Sequence, residues 1–134
     1  MFANLLKNLI FPETRRKVRI KTSSSFVKEK WSEIEILIKT KNPSSAKQAV
    51  IIADKVLEQI IKEATGTTTM GEGLKISKDL FSDYSIYDMA WKAHKLRNSM
   101  VHDASYDPPH YVVTEAINQF RAVFKDLGLL WTMN

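Results

Sequence analysis

The 134-residue sequence contains no cysteine, which excludes disulfide bonds, thiolate-bound zinc and a cysteine nucleophile. Its four glycines and four prolines are too few for a collagen-like or low-complexity chain. No stretch approaches the roughly 20 apolar residues that a membrane-spanning helix needs. The motifs of P-loop, dinucleotide-binding, serine-hydrolase, zinc-protease and calcium-binding proteins are also missing. We therefore expect one soluble cytoplasmic domain that uses no cofactor.

Positive charge is concentrated near the N-terminal end of the sequence. Residues 1–31 carry eight Lys or Arg side chains and two Glu, whereas the rest of the chain has one more acidic than basic group. Such a basic arm either binds a polyanion, meaning nucleic acid or an anionic membrane surface, or is a solvated tail. The side chains assigned to nucleic-acid binding are Arg15, Arg16, Lys17, Arg19, Lys21 and, outside the arm, Lys95.

The first eleven residues place apolar side chains at helical spacing and are followed by Pro12. A helix this short is marginal in water, so it must dock on something. Docking on the protein body or a partner chain is favoured over membrane contact by residues 1–21. A secretory signal is not expected, because a charged leading segment and a cleavage site are both missing. Residues 1–24 are therefore interpreted as an amphipathic and basic arm, and residues 25–134 as one domain.

The remainder of the sequence predicts an all-α fold, an antiparallel bundle of four long helices plus one short helix. The first long helix covers residues 25–41, and the second begins at Ser44 or Ser45 and ends at Gly66. The third runs from residue 86 to about 101, and the last begins at Pro109 and is capped by Gly128. Residues 72–81 predict the short helix, and residues 18–20 are the one brief candidate strand.

Potential chemistry is concentrated in residues 91–103, WKAHKLRNSMVHD. Arg97 falls in line with Ala93 and Val101 on a helix, so it borders the apolar face and requires an anionic partner. A neighbouring polar and aromatic line contains Trp91, His94, Asn98 and His102. Guanidinium, amide and imidazole groups at one helix end can form a phosphate-binding site, because Arg binds phosphate through two parallel hydrogen bonds and His titrates near neutrality.

Three interpretations stay open at this level. His94 and His102 do not predict a metal site, since eight helical residues separate them by about 12 Å. Asp54, within the apolar stretch of the second helix, is either a buried partner of Arg97 or His94 or a surface carboxylate paired with Lys. The motif residues also have structural interpretations: an internal ion pair for Arg97, a helix-end histidine for His102, a surface residue for His94 and a helix-ending amide for Asn98.

The pattern Arg97-Asn98-x-x-x-His102, near the end of a late helix in a small helical bundle, resembles the signature of the HEPN superfamily, the higher eukaryotes and prokaryotes nucleotide-binding domains. The flanking sequence is similar to small uncharacterised bacterial members of that superfamily. The similar segments are NPS at 42–44, AVIIAD at 49–54, TMGE at 69–72 and AHKLRN at 93–98. The resemblance covers about residues 26–130 and leaves out the first 21 residues.

The resemblance implies a metal-independent endoribonuclease whose cleft is shared by a homodimer and whose nucleophile is the ribose 2′-OH. It gives His102 the role of general base or acid and Arg97 that of stabilising charge on the phosphate, while Asn98 orients the motif or holds a phosphate oxygen. The accessory candidates are His94, Asp54 and Asp103. Such an enzyme is often a toxin, which implies a neutralising antitoxin protein.

The alternative implied by the same resemblance is a non-catalytic dimerisation module that binds nucleotide, RNA or protein. A third interpretation makes the arm the functional part, tethering the bundle to a membrane or to RNA. For cleavage, the spacing of Arg97 and His102 imposes a geometric requirement on the site. Arg97 and His102 are five residues apart, about 140° around an ideal helix, so we expect either a dimer or a helix that ends before His102.

Overall fold

The computed structural model describes residues 18–131, and within that range the chain forms five α-helices and no strand. Four helices are long: α1 (Ser24–Lys39), α2 (Pro43–Thr65), α4 (Tyr84–His102) and α5 (His110–Asp126). The fifth, α3 (Met70–Ile76), is short and precedes a 3-10 turn at Lys78–Leu80. The all-α prediction of four long helices and one short helix is confirmed. The helix predicted for residues 1–11 lies outside the described residues.

Short polar side chains fix where the helices begin. The Ser23 hydroxyl accepts a hydrogen bond from the Phe26 N–H at the start of α1, and the Asn42 side chain accepts one from the Ser44 N–H at the start of α2. The second helix therefore begins at Pro43, slightly earlier than predicted, because Asn42 rather than a serine is the cap. At the other end of α2, Gly66 adopts φ 75°, the left-handed conformation expected of a C-terminal cap.

Two local predictions differ from the structure. Residues 18–20 are not a strand: Ile20 packs against the core from an irregular segment, and the described chain offers no second strand for a ladder. The short helix begins before residue 72, because the Thr69 hydroxyl caps it by accepting from the Glu72 N–H. It ends before Ser77, whose hydroxyl donates to the Leu74 carbonyl and competes with the helical pattern.

The central element of the bundle is α2, which packs against α1, α3, α4 and α5. Ten of its side chains are buried, among them Leu57 and Ile60, which are fully shielded from solvent. Trp31 of α1 meets Phe124 of α5 edge to face, with ring centroids 5.8 Å apart. One side chain in this apolar set is charged, namely Asp54, and it is the residue on which the site described below depends.

The helix that carries the motif, α4, leaves several large apolar side chains partly exposed. Its two buried residues are Ala90 and Ala93, although it also carries large apolar side chains. Those of Met89, Trp91, Leu96 and Met100 are half-buried, and Val101 is 45% exposed. These positions are spread around more than one side of the helix, so α4 presents more apolar surface than the described chain covers.

The two glycines of α3 give the first prediction. A Cβ at Gly73 would lie 2.5 Å from Ile61 Cγ2 and 2.8 Å from Thr67 Oγ1, whereas a Cβ at Gly71 would meet nothing within 4 Å. We expect Gly73→Ala to lower the free energy of unfolding by about 1–3 kcal/mol through overpacking. Gly71→Ala is the matched control and should raise it slightly, since Ala is the better helix former. Urea denaturation measures both, and equal effects of the two substitutions would contradict the packing argument.

Candidate functional site

A buried carboxylate of α2 meets the polar side of α4. Asp54 is 1% exposed, and both of its oxygens face the His94 ring, with Nδ1 at 3.0 Å from Oδ1 and 3.1 Å from Oδ2. Of the two interpretations open for Asp54, the structure shows the buried partner and not the surface carboxylate. The helix positions explain the meeting, because Ala90 and Ala93 let α4 approach α2 closely beside His94.

Arg97 completes this arrangement from the next turn of α4. Its Nε lies 3.6 Å from Asp54 Oδ2, close enough for an ion pair but too long for a hydrogen bond. Within residues 18–131 this Nε is buried without a hydrogen-bond acceptor, while Nη1 donates to Asn98 Oδ1 at 3.1 Å. Asn98 Nδ2 in turn lies 3.3 Å from His94 Nε2. Asp54, His94, Asn98 and Arg97 thus form a closed ring of polar contacts, called the polar ring below.

The hydrogen bond to Asn98 also fixes the position of the Arg97 guanidinium. The Arg97 side chain is 26% exposed, and its Nη1 reaches the amide of Asn98. Asn98 and His102 are four residues apart and therefore lie one above the other on the helix surface. The hydrogen bond to Asn98 therefore places the guanidinium tip beside a residue that lies in line with His102.

Electrostatics within the polar ring are dominated by the burial of Asp54. Desolvation raises the pKa of this carboxyl above its ordinary value of 3.8, because water no longer stabilises the charged form. The hydrogen bond and charge of His94 and the charge of Arg97 oppose that shift, and the nearby Glu58 carboxylate adds to it. Burial is the largest of these effects, so the net direction is upward.

His102 is the last residue of α4 and is exposed. The helix continues through this residue, so the prediction of a helix that ends before it is wrong. Among residues 18–131, no side chain forms a hydrogen bond or ion pair with the His102 ring. The exposed imidazole is therefore free to meet a ligand or a second chain.

The other candidate residues lie apart from the polar ring. Asp103 is the exposed C-cap of α4, and hydrogen bonds from the Ser105 hydroxyl and N–H lower the pKa of its carboxyl. Lys95 is exposed with its Nζ 5.6 Å from the centre of the Trp91 ring. The remaining basic candidates are Arg19 and Lys21, which are exposed, and Arg15, Arg16 and Lys17, which lie outside the described residues.

Glu58 is a site residue that the sequence interpretation missed. It follows Asp54 by one helical turn on α2 and is close enough to influence the Asp54 carboxyl. The signal was present in the sequence as two acidic residues at i and i+4, one of them inside an apolar stretch. Its own Oε2 lies 3.4 Å from Lys62 Nζ, with which Glu58 forms an ion pair.

Two further properties of the described part of the chain bear on function. Residues 18–131 contain no group of three or more His, Asp or Glu side chains placed to hold a metal ion. Among the helices of the same residues, none combines the length and the apolar character needed to cross a membrane. Comparison of the chain with models of known protein families, with curated proteins and with solved structures found no match.

The raised pKa of Asp54 predicts how stability changes with pH. The folded protein keeps the Asp54 proton to a higher pH than the unfolded chain. The contribution of this proton to the free energy of unfolding is therefore fully present below about pH 3.8, and it is lost as the pH rises through the raised pKa. For any group, a tenfold change in proton affinity on folding corresponds to about 1.4 kcal/mol. We expect the free energy of unfolding of the native protein to fall over this range relative to that of Asp54→Asn.

Urea denaturation at several pH values between 3.5 and 7 checks this expectation. Asp83 and Asp103, whose pKa values are lowered by hydrogen bonds, act in the opposite direction but are common to both proteins. The difference between the two curves therefore isolates Asp54. A difference that does not change with pH would show that pairing with His94 and Arg97 cancels the effect of burial.

Proposed function

We propose that this protein is an HEPN-like, metal-independent endoribonuclease that acts at a cleft shared by two copies of the chain. The observation that carries the proposal is the position of the Arg97 guanidinium. Its Nε lies beside the buried carboxylate of Asp54, and its Nη1 contacts Asn98, which lies in line with the exposed His102 on α4. An anchored guanidinium and a free imidazole on one helix surface suit a phosphodiester ligand.

A homodimer is supported by the apolar side chains that α4 leaves partly exposed. One side of this helix includes Trp91, Asn98, Val101 and His102. On this side the Trp91 side chain is half-buried and the Val101 side chain is 45% exposed. Pairing of this side with the same side of a second chain would cover the apolar groups, as in other two-fold interfaces. It would also bring two guanidinium and two imidazole groups to one cleft.

The chemistry needs few protein groups, because RNA supplies its own nucleophile. The ribose 2′-oxygen attacks the adjacent phosphorus, the bond from phosphorus to the 5′-oxygen breaks, and the products are a 2′,3′-cyclic phosphate and a 5′-hydroxyl. His102 of one chain takes the 2′-OH proton or gives a proton to the leaving 5′-oxygen. Arg97 donates hydrogen bonds to the phosphate oxygens as their charge develops.

Partners and location follow from the same proposal. A ribonuclease of this kind is toxin-like and cytoplasmic, and a neutralising antitoxin protein accompanies it. The exposed Arg19 and Lys21, together with the basic residues before them, are proposed to attract the RNA backbone at long range. Contact of residues 1–21 with an anionic membrane is the less favoured role of this arm.

A second candidate function, non-catalytic binding of nucleotide, RNA or protein by the same dimer, is favoured by a specific observation. Arg97 is already engaged inside the chain, with Asp54 beside Nε and Asn98 at Nη1. An arginine held in this way is also what a purely structural ion pair requires. The two functions differ in whether RNA is broken.

The test is incubation of the purified protein with total cellular RNA in the presence of EDTA, so that restricted targets are included and metal-dependent contaminants are inactive. We expect cleavage, with 2′,3′-cyclic phosphate and 5′-hydroxyl ends. An oligonucleotide that carries 2′-deoxyribose at the cleaved position should resist. Binding of RNA without any cleavage would contradict the ribonuclease and support the second candidate function.

A further inference from the structure

One arrangement of hydrogen atoms satisfies all the contacts of the polar ring. A guanidinium has donors only, so the Asn98 atom that faces Arg97 Nη1 must be the carbonyl oxygen. The amide nitrogen of Asn98 then faces His94 and donates to Nε2, which has to be unprotonated. On the other side of the ring His94 Nδ1 faces both oxygens of the Asp54 carboxylate and carries the hydrogen. In this arrangement His94 carries a single ring hydrogen, on Nδ1.

We propose that His94 and Asn98 form a proton-controlled latch on Arg97, closed when His94 is neutral and opened toward a phosphodiester when His94 is protonated. The proposal rests on the proposed function for the identity of the ligand, an RNA phosphate at Arg97. It assigns Asn98 as a positioning residue, because its amide oxygen and amide nitrogen are both used within the ring. It also gives His94 a role in regulation that is separate from the chemistry of His102.

Opening follows from the rules of hydrogen bonding. A proton on His94 Nε2 turns an acceptor into a donor that faces the donating amide nitrogen of Asn98. Rotation of the amide by a half-turn relieves this conflict by presenting the oxygen to His94. The amide nitrogen then faces Arg97 Nη1, donor against donor, and the bond between Asn98 and Arg97 is lost. The ion pair between Arg97 Nε and Asp54, which lacks a hydrogen bond, is then the contact that still holds the guanidinium.

The charges around His94 act in the same direction. The ring faces Asp54 of α2, with Glu58 one turn further along that helix, and Arg97 of its own helix. In the described residues, no ionisable side chain of α1, α3 or α5 forms a hydrogen bond or ion pair with the His94 ring. Protonation of His94 thus adds one positive charge beside the Asp54 carboxylate, which also pairs with Arg97. The added charge weakens the attraction between Asp54 and Arg97, and it attracts an anion.

The closed state is tested by NMR on protein labelled with ¹⁵N in histidine and arginine. Long-range ¹⁵N–¹H correlation distinguishes the two tautomers, and we expect His94 at pH 8 to carry its hydrogen on Nδ1. The exposed rings of His102 and His110 provide references within the same sample. A hydrogen on Nε2 of His94 at pH 8 would overturn the latch, because Asn98 could not then donate to that atom.

The opening is tested with the dinucleotide dTpdT, which has no 2′-OH and keeps one phosphodiester charge from pH 8 to pH 5.5. Binding is followed through the Arg97 Nε–H signal. We expect the affinity of the native protein to rise about fivefold or more between pH 8 and pH 5.5. His94→Gln, which cannot titrate, should abolish this dependence. No binding at either pH, or equal binding at both, would overturn the proposal.

Asn98→Ala gives the decisive comparison. If Asn98 restrains Arg97, its removal should tighten binding of dTpdT at pH 8 by about threefold to fivefold. If Asn98 were a phosphate ligand, binding would weaken, and the latch would be refuted. The matched control is Asn118→Ala on α5, where Arg121 Nη1 donates to Asn118 Oδ1 at 2.6 Å in the same kind of pair, and no effect is expected.

None of these measurements depends on RNA cleavage, so the two proposals fail separately. A protein that shows the expected tautomer and the tighter binding of Asn98→Ala, but cleaves no RNA, retains the latch and loses the ribonuclease. A protein that cleaves RNA through Arg97 and His102 but carries its His94 hydrogen on Nε2 retains the ribonuclease and loses the latch. If His94→Gln does not fold, the native tautomer and Asn98→Ala still decide the outcome.

Discussion

Replacement of His102 by alanine should lower the rate of RNA cleavage by a factor of about 10²–10⁴, the usual contribution of a positioned general acid or base. The side chain is exposed at the end of α4, so the substitution should leave the fold intact. The rate is measured on a fixed RNA in EDTA at equal protein concentration. His110→Ala is the matched control, since His110 is also exposed and lies outside the motif at the start of α5, and its rate should stay unchanged.

Arg97→Ala should cause a loss of similar size, and mixing the two inactive variants tests the shared cleft. If Arg97 of one chain acts with His102 of the other, a mixed dimer regains one complete pair. Random exchange of subunits then restores about a quarter of the native activity. If both groups act within one chain, no mixed dimer contains a complete pair and the mixture stays inactive. Equal cleavage by the native protein and by His102→Ala would show that His102 has no part in the reaction.

The fold was predictable where one helix face is apolar and the other polar. In α2 the apolar positions recur at helical spacing, and Gly66 marks the end, so both its existence and its last turn followed from the sequence. The short helix was placed less well, because its start depends on the hydroxyl of Thr69 and its end on that of Ser77. Such local competition between side chain and backbone produces no periodic signal.

The candidate site was predictable only in part. The position of Arg97 beside the apolar face required an anionic partner, and Asp54 was one of the two interpretations considered for that region. The choice between a buried and a surface carboxylate depends on how α2 is rotated against α4, which periodicity does not fix to within an ångström. Closure of the polar ring through Asn98 depends on contacts of 3.1 and 3.3 Å, and those follow only from the packed helices.

The second large effect is expected on stability rather than on activity. Asp54→Ala removes the carboxylate beside the buried Nε of Arg97 and the acceptor of His94 Nδ1. An ion pair that loses one partner leaves the other charge buried and uncompensated, which costs about 3–5 kcal/mol. The Arg97 side chain is 26% exposed and can turn its tip to water, so we expect the lower end, about 3 kcal/mol, in urea denaturation at pH 7.

Two comparisons separate this cause from a general effect of losing an aspartate. Asp107→Ala removes a carboxylate that is 78% exposed and paired with Lys47, and it should cost less than about 1 kcal/mol. Adding Arg97→Met to Asp54→Ala removes the stranded charge as well, so the double variant should recover much of the lost stability. If the double variant instead loses more free energy of unfolding than Asp54→Ala alone, the stranded charge of Arg97 is not the cause of the loss. The Asp54 carboxylate would then stabilise the bundle by packing or through His94.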